Sequence, residues 1–168
     1  MAEKGGIPVV PGPPKEKQGM SGTFHGATVV TLDAKGRLAI PTRHREALLA
    51  ASKYVVLTAH PEGCVLVYPP AAWEPVRAKA EIFPSFHPQA SWWKRLLLGF
   101  EEHVAPDGSG RILVSGALRQ HAKLERDVML VGQGGYFELW DAGLWNAKLA
   151  QALSGPAAPP PGMEDFSL

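Results

Sequence analysis

A single cysteine, Cys64, occurs in the 168 residues of this chain. That excludes an intrachain disulfide and leaves no cysteine cluster for zinc or an iron–sulfur centre. Its place in an apolar run reads as a buried structural thiol. No run approaches the roughly 20 apolar residues that a membrane helix requires, and the first 22 residues lack the apolar stretch of a signal peptide. A cytosolic protein is therefore expected. Catalytic signatures are missing too: there is no Gly-x-Ser-x-Gly, no His-Glu-x-x-His, no phosphate loop and no carboxylate pair at helical spacing. Six histidines, His25, His44, His60, His87, His103 and His121, fall singly rather than in a metal-binding set. Neither an enzyme nor a metal, cofactor or small-molecule ligand is expected.

Strong net charge is also lacking, since 17 basic residues oppose 16 acidic ones and leave +1. The distribution says more. Between Asp33 and Glu46 lie Lys35, Arg37, Arg43 and Arg45 with no acid among them, whereas residues 127–168 hold Lys148 against five acids. Prolines gather at the ends: Pro8, Pro11, Pro13 and Pro14, then Pro156, Pro159, Pro160 and Pro161. Residues 1–22 and 154–168 are read as disordered tails.

What the chain does hold is a repeat. Asp33-Ala34-Lys35-Gly36-Arg37-Leu38 returns as Asp107-Gly108-Ser109-Gly110-Arg111-Ile112, 74 residues on, and Arg45 answers Arg119 at the same offset. Further along, Gly63 to Tyr68 lines up with Gly135 to Trp140, and Trp73 with Trp145, at an offset of 72. A loop absorbs the two-residue difference. Each motif is a turn that places an arginine between two short apolar runs, and a pair of such turns on one body suits a partner that itself repeats, as DNA does.

Ala27 to Thr31 has the β-branched content of a strand, Asp33 to Gly36 the chemistry of a turn, and Leu38 to Ile40 that of a returning strand. Gly36 supplies the positive φ that a tight turn needs, aiming Arg37 outward or across to Asp33. Pro41 ends the strand and opens a helix over about 42–51. Strands at about 54–58 and 64–68 follow, then a helix around Trp73, with Pro75 in its first turn or kinking it, and another over about 89–98. In the second copy the order returns: a strand to Val104, a strand at 111–114, a helix capped by Ser115, strands at about 127–131 and 136–140, and a helix over about 142–152. Adjacent Trp92 and Trp93 diverge by about 100° on a helix, so both cannot easily face one core, and one of them is expected either to pack against the other repeat, the commoner fate, or to sit at a subunit interface. Neither copy is long enough for a core of its own, so the two should interlock.

Phe24-His25-Gly26, then Leu32-Asp33-x-Lys35-Gly36-Arg37-Leu38-x-Ile40-Pro41-x-Arg43-x-Arg45, resembles the MraZ family of bacterial transcriptional regulators. So does Leu96-Leu97-Leu98-Gly99 leading into Asp107-x-x-Gly110-Arg111 and Leu118-Arg119. The resemblance implies an α+β fold of two SpoVT-AbrB-like β-rich repeats with short helices, residues 23–94 and 95–153, forming a pseudo-twofold swapped-hairpin barrel. It also implies a ring-forming homo-oligomer on the nucleoid. Such a protein binds double-stranded promoter DNA at direct repeats upstream of the division and cell-wall gene cluster that includes its own gene, and represses transcription there.

Under that reading Arg37 contacts a base or groove, Lys35 and Arg43 hold phosphates, Arg111 is the second-copy counterpart, and Asp33, Gly36, Asp107 and Gly110 shape the turns. The competing reading makes Asp33–Arg37 and Asp107–Arg111 intramolecular pairs that fix the turns. Three positions depart from the family pattern: His25 stands where arginine is common, Ser109 replaces the lysine of the first motif, and 19 residues precede Met20. A loop with four cations binds weakly alone, so affinity requires several subunits on repeated sites. The alternative function is a protein–protein interaction module of the AbrB-like fold without sequence-specific DNA binding.

Overall fold

A computed structural model describes residues 23–50 and 52–168; the disorder expected of residues 1–22 lies outside them. The chain runs β1 (Ala27–Thr31), β2 (Arg37–Ala39), α1 (Thr42–Leu49), β3 (Val55–Ala59), β4 (Val65–Tyr68), α2 (Pro70–Glu81), α3 (Pro88–Gly99), β5 (Glu102–Val104), β6 (Arg111–Leu113), α4 (Gly116–His121), β7 (Asp127–Gly132), β8 (Phe137–Asp141) and α5 (Ala142–Leu153). The helices begin where the sequence offers a start. Pro69 precedes Pro70 at α2, His87 Nδ1 accepts from the Ala90 N–H at α3, and Ser115 and Asp141 side chains accept from Leu118 and Leu144 at α4 and α5.

The fold is mixed α+β with antiparallel pairing throughout. Six strands form one sheet in the order β1-β7-β8-β4-β3-β5, and β2 pairs with β6 in a separate two-stranded ribbon. Replacing each strand by its repeat mate reverses the sheet order onto itself. At the centre of the ribbon Leu38 lies opposite Ile112, its own counterpart, and at the centre of the sheet Leu66 lies opposite Glu138, also its counterpart. The outer strands are exchanged: β1 of the first copy pairs with β7 of the second, and β5 of the second with β3 of the first. The sheet has edges at β1 and β5, and no closure into a barrel is seen among the described residues.

One face of the sheet meets the ribbon, α1 and α4 across a core drawn from both copies, including Phe24, Leu38, Leu48, Val55, Leu57, Val65, Ile112, Leu118, Leu130 and Phe137. Because side chains alternate along a strand, Val56 and Leu66 face the other way and pack with Trp73, Ala80 and Leu97 of α2 and α3. The second half of that face is covered by α5, through Trp145 against Trp140 beside Cys64 and Val131. Cys64 is buried, and that burial, with the Glu138 carboxylate beside it, pushes its thiol far up from the ordinary range.

One expectation requires correction. Trp92 and Trp93 are both exposed, at 61% and 41%: Trp92 lies under the Arg95 guanidinium, and Trp93, one turn before buried Leu97, lines a surface hollow with Phe83, Pro84 and His87. Pro75 lies at the sixth position of α2 rather than in its first turn, where it withholds an N–H from the Ala71 carbonyl. Residues 154–168 are exposed throughout and contain no helix or strand. No helix follows α5 as α3 follows α2, and α5 leaves Leu144, Leu149 and Leu153 exposed.

A candidate nucleic-acid interface at the paired turns

The two Asp-x-x-Gly-Arg turns are built bond for bond alike. Asp33 Oδ1 accepts from the Lys35 and Arg37 N–H groups at 2.9 Å each, and Asp107 Oδ1 accepts from Ser109 and Arg111 at 2.9 and 3.0 Å. Each carboxylate then takes its own arginine's Nε on Oδ2, at 2.8 Å for Arg37 and 2.9 Å for Arg111. Gly36 and Gly110 close the turns at φ +83° and +74°, the conformation that glycine alone adopts freely. The Arg37 backbone N–H, ahead of the guanidinium and the Lys35 N–H, holds the Asp33 carboxyl down to about 2. The Asp107 carboxyl is lowered in the same way by Arg111.

Pinning through Nε has a chemical consequence. It fixes the arginine's direction yet leaves the two terminal nitrogens for another acceptor, and those are the donors that match a guanine edge or a phosphate. Among the described residues no hydrogen bond engages Arg37 Nη1 or Nη2. Arg111 differs, since its Nη1 lies 3.6 Å from Asp33 Oδ2. Asp33 thus faces two guanidiniums, and Arg111 lies within reach of two carboxylates.

Cross-ribbon bonds bring the turns together. Ile40 N–H donates to the Gly110 carbonyl at 3.3 Å and Val114 N–H to the Gly36 carbonyl at 2.9 Å. With Leu38 and Ile112 buried inward, Arg37, Ala39, Arg111 and Leu113 form the outward face, Arg37 directly opposite Leu113 and Ala39 opposite Arg111.

Arg45 and Arg119 do not share that face. Arg45 Nη2 donates to the Ile40 carbonyl and Arg119 Nε to the Val114 carbonyl, its counterpart in the repeat. Each guanidinium lies under the glycine turn of the other copy, Arg45 at Gly110 and Arg119 at Gly36. The cluster of four cations expected from the sequence therefore loses Arg45 to the fold. Arg43 is also apart from Arg37: its Nη2 donates to Thr28 Oγ1 at the start of β1, whereas the Asp33 turn follows the end of that strand, and its Nε donates to His44 Nε2 at 3.0 Å. His44 packs against the Phe24 and Phe137 rings, and burial, then the charge of Arg43, lowers its pKa. Lys35 is exposed at the tip of the first turn, and His25 is exposed near the Phe24 bridge to Gly134.

The copies differ electrically. Ser109 and Ala117 stand where Lys35 and Arg43 stand in the first copy. Two residues at this surface are not apparent from the sequence. Arg126 is exposed beside the first turn, its carbonyl accepting from Leu32 N–H at 2.8 Å, in a cleft of about 660 Å³ that Asp33, Gly36, Arg119 and Glu125 help to line. Only the β1–β7 exchange brings it there. Leu113 is 48% exposed on the ribbon, and strict alternation from buried Ile112 was the signal that could have found it.

The sequence comparisons bear on what this surface is for. The MraZ protein family, described as antitoxin-like, matches the chain twice, at residues 23–96 and 97–159. The chain belongs to the MraZ family. A protein of Aromatoleum aromaticum is 51% identical over 147 residues, one of Methylobacillus flagellatus 52% over 147, and one of Dechloromonas aromatica 50% over 149. Each alignment spans 86% of this chain and 99% of the relative, and all three MraZ relatives carry the name transcriptional regulator MraZ.

Proposed function

We propose that the chain is a sequence-specific DNA-binding transcriptional regulator whose reading element is the outward face of the β2–β6 ribbon. The observation that carries this is the pair of arginines pinned through Nε on a two-stranded ribbon, with the Arg37 terminal nitrogens unengaged among the described residues. A two-stranded ribbon is of a size the major groove admits, and an arginine fork matches guanine O6 and N7. Arg37 reads a base, Lys35 and Arg43 neutralise phosphates, and Arg111 makes a weaker contribution because Asp33 competes for it. Asp33, Gly36, Asp107 and Gly110 preorganise the turns.

The finer parts of the reading rest on the resemblance to the family. The targets are direct repeats upstream of the division and cell-wall gene cluster, including the chain's own gene, with repression as the outcome and the nucleoid of the cytoplasm as the place. The repeats span 23–94 and 95–153, and the exchange of β1 and β5 between them is the relation that a swapped-hairpin barrel requires. A homo-oligomeric ring supplies the avidity that one ribbon lacks. The uncovered apolar side of α5 and the exposed Trp92 and Trp93 support such association.

That same apolar side favours a second reading, a protein–protein module of the AbrB-like fold without sequence-specific DNA binding. Titrating the purified chain, stripped of any partner, onto labelled duplex from upstream of its own gene and onto a scrambled duplex at two salt concentrations separates the two. The regulator reading expects cooperative, salt-weakened binding that prefers the native sequence. Equal, weak binding to both duplexes favours the protein module.

A further inference from the structure

We infer that Leu113 reads a thymine, packing its isobutyl group on the 5-methyl that projects into the major groove, next to the base that Arg37 contacts. The inference rests on the DNA-binding reading of the ribbon and assigns one of its outward positions. Isolated exposed leucines are ordinary, but the setting of this one is not. Ile112 and Val114, on either side, are fully buried, while Leu113 stands 48% exposed, opposite Arg37 and two residues along the strand from Arg111, on a face that has no core to fill.

The register supplies the second step. Leu113 is the cross-strand partner of Arg37, so their Cβ atoms are about 5 Å apart on one side of the ribbon. Successive bases along a strand are about 3.4 Å apart, so two side chains at that spacing meet the same or the neighbouring base pair. An arginine beside an aliphatic group is complementary to a guanine edge beside a thymine methyl. The other cross-strand pair is weaker: Arg111 is shared with Asp33, and its partner Ala39 offers one methyl. The two halves of the ribbon therefore read unequally, with the Arg37–Leu113 half dominant.

The test uses the full chain and a duplex that it selects from a random-sequence pool. Each thymine is replaced singly by deoxyuridine, which removes only the methyl, and dissociation constants are measured for the wild type and for Leu113→Ala. The wild type is expected to lose about three- to five-fold at one thymine adjacent to a guanine, the worth of one buried methyl, and Leu113→Ala to lose nothing further there. Thermal melting and the mass of the assembly are followed for both proteins. Specific binding in which no thymine methyl matters, or in which it matters equally to Leu113→Ala, overturns the inference and leaves the ribbon reading standing. A changed assembly mass with unchanged thymine sensitivity places Leu113 at a subunit interface and overturns it as well. Failure to select any sequence refutes the ribbon reading and this inference together.

Discussion

Arg119 of the second copy seats its guanidinium against Gly36 of the first, so close that a Cβ on Gly36 would stand 2.6 Å from Arg119 Nε and 3.0 Å from the Val114 carbonyl oxygen. Arg45 and Gly110 repeat the arrangement. Each reading turn is thus shaped by its own aspartate and backed by an arginine from the opposite copy, which explains why Arg45 and Arg119 recur at the same offset as the motif without joining its exposed face.

Gly36→Ala meets both a left-handed backbone and a filled space, and should cost about 2 kcal/mol or more, a melting shift on the order of 5 °C in a chain of this size. Gly63→Ala is the control, since its φ of +93° carries the strain but nothing lies within 4 Å of the added carbon. It should cost about half as much. Equal shifts in the two variants would show that the Arg119 contact adds nothing.

His44 is packed on Phe24 and Phe137 with Nε2 accepting from Arg43, so the fold holds it neutral and lowers its pKa below 6.5. A lowered folded-state pKa contributes stability at pH above the unfolded value and loses it as pH falls. Denaturant melts of the wild type should therefore weaken between about pH 7 and 5. His44→Leu, which installs the residue that the second copy carries as Leu118, should flatten the dependence across that window. A profile that stays as steep in His44→Leu would assign it to another group.

Asp33 gives a second, separate acid dependence. Its carboxyl is lowered from 3.8 to about 2, so the contribution of its turn is complete above about pH 4 and is lost as pH falls toward 2. Asp33→Asn should remove that component while leaving the pH 5–7 region unchanged. It should also loosen Arg111, which shares the same oxygen. Identical acid melts for Asp33→Asn and the wild type would show that the carboxylate does not bind its proton differently on folding.

DNA titrations should sort the cations by role. Lys35→Ala is expected to weaken operator and scrambled duplex alike and to reduce the slope of log affinity against log salt by about one. Arg111→Ala should weaken operator binding by less than Arg37→Ala. If Arg111→Ala proves the more damaging, the competition by Asp33 does not hold in the complex.

Most secondary structure was legible because the repeat could be read twice. Ser115, the Gly36 turn and the apolar run at 64–68 each had a local cause, and the structure places them within a residue or two. The mutual backing of the turns by Arg45 and Arg119 was visible only as a matched offset, since nothing local says that an arginine will lie under the other copy's glycine. Trp92 and Trp93 misled because the divergence of adjacent residues on a helix says that the two indoles point apart, not that either is covered. Arg126 and Leu113 were hidden for different reasons. Arg126 reaches the turn only through strand exchange, and Leu113 is, in sequence, one more apolar residue of a short strand.

The measurement that bears most directly on the central claim is the ratio of affinities for upstream duplex and scrambled duplex, determined for the wild type and for Arg37→Ala at one salt concentration. The ribbon account predicts that Arg37→Ala keeps the wild-type melting curve within a few degrees, loses about ten-fold or more on the upstream duplex, and brings the ratio close to one. A ratio that survives in Arg37→Ala would contradict it and make the Asp33–Arg37 pair a structural turn.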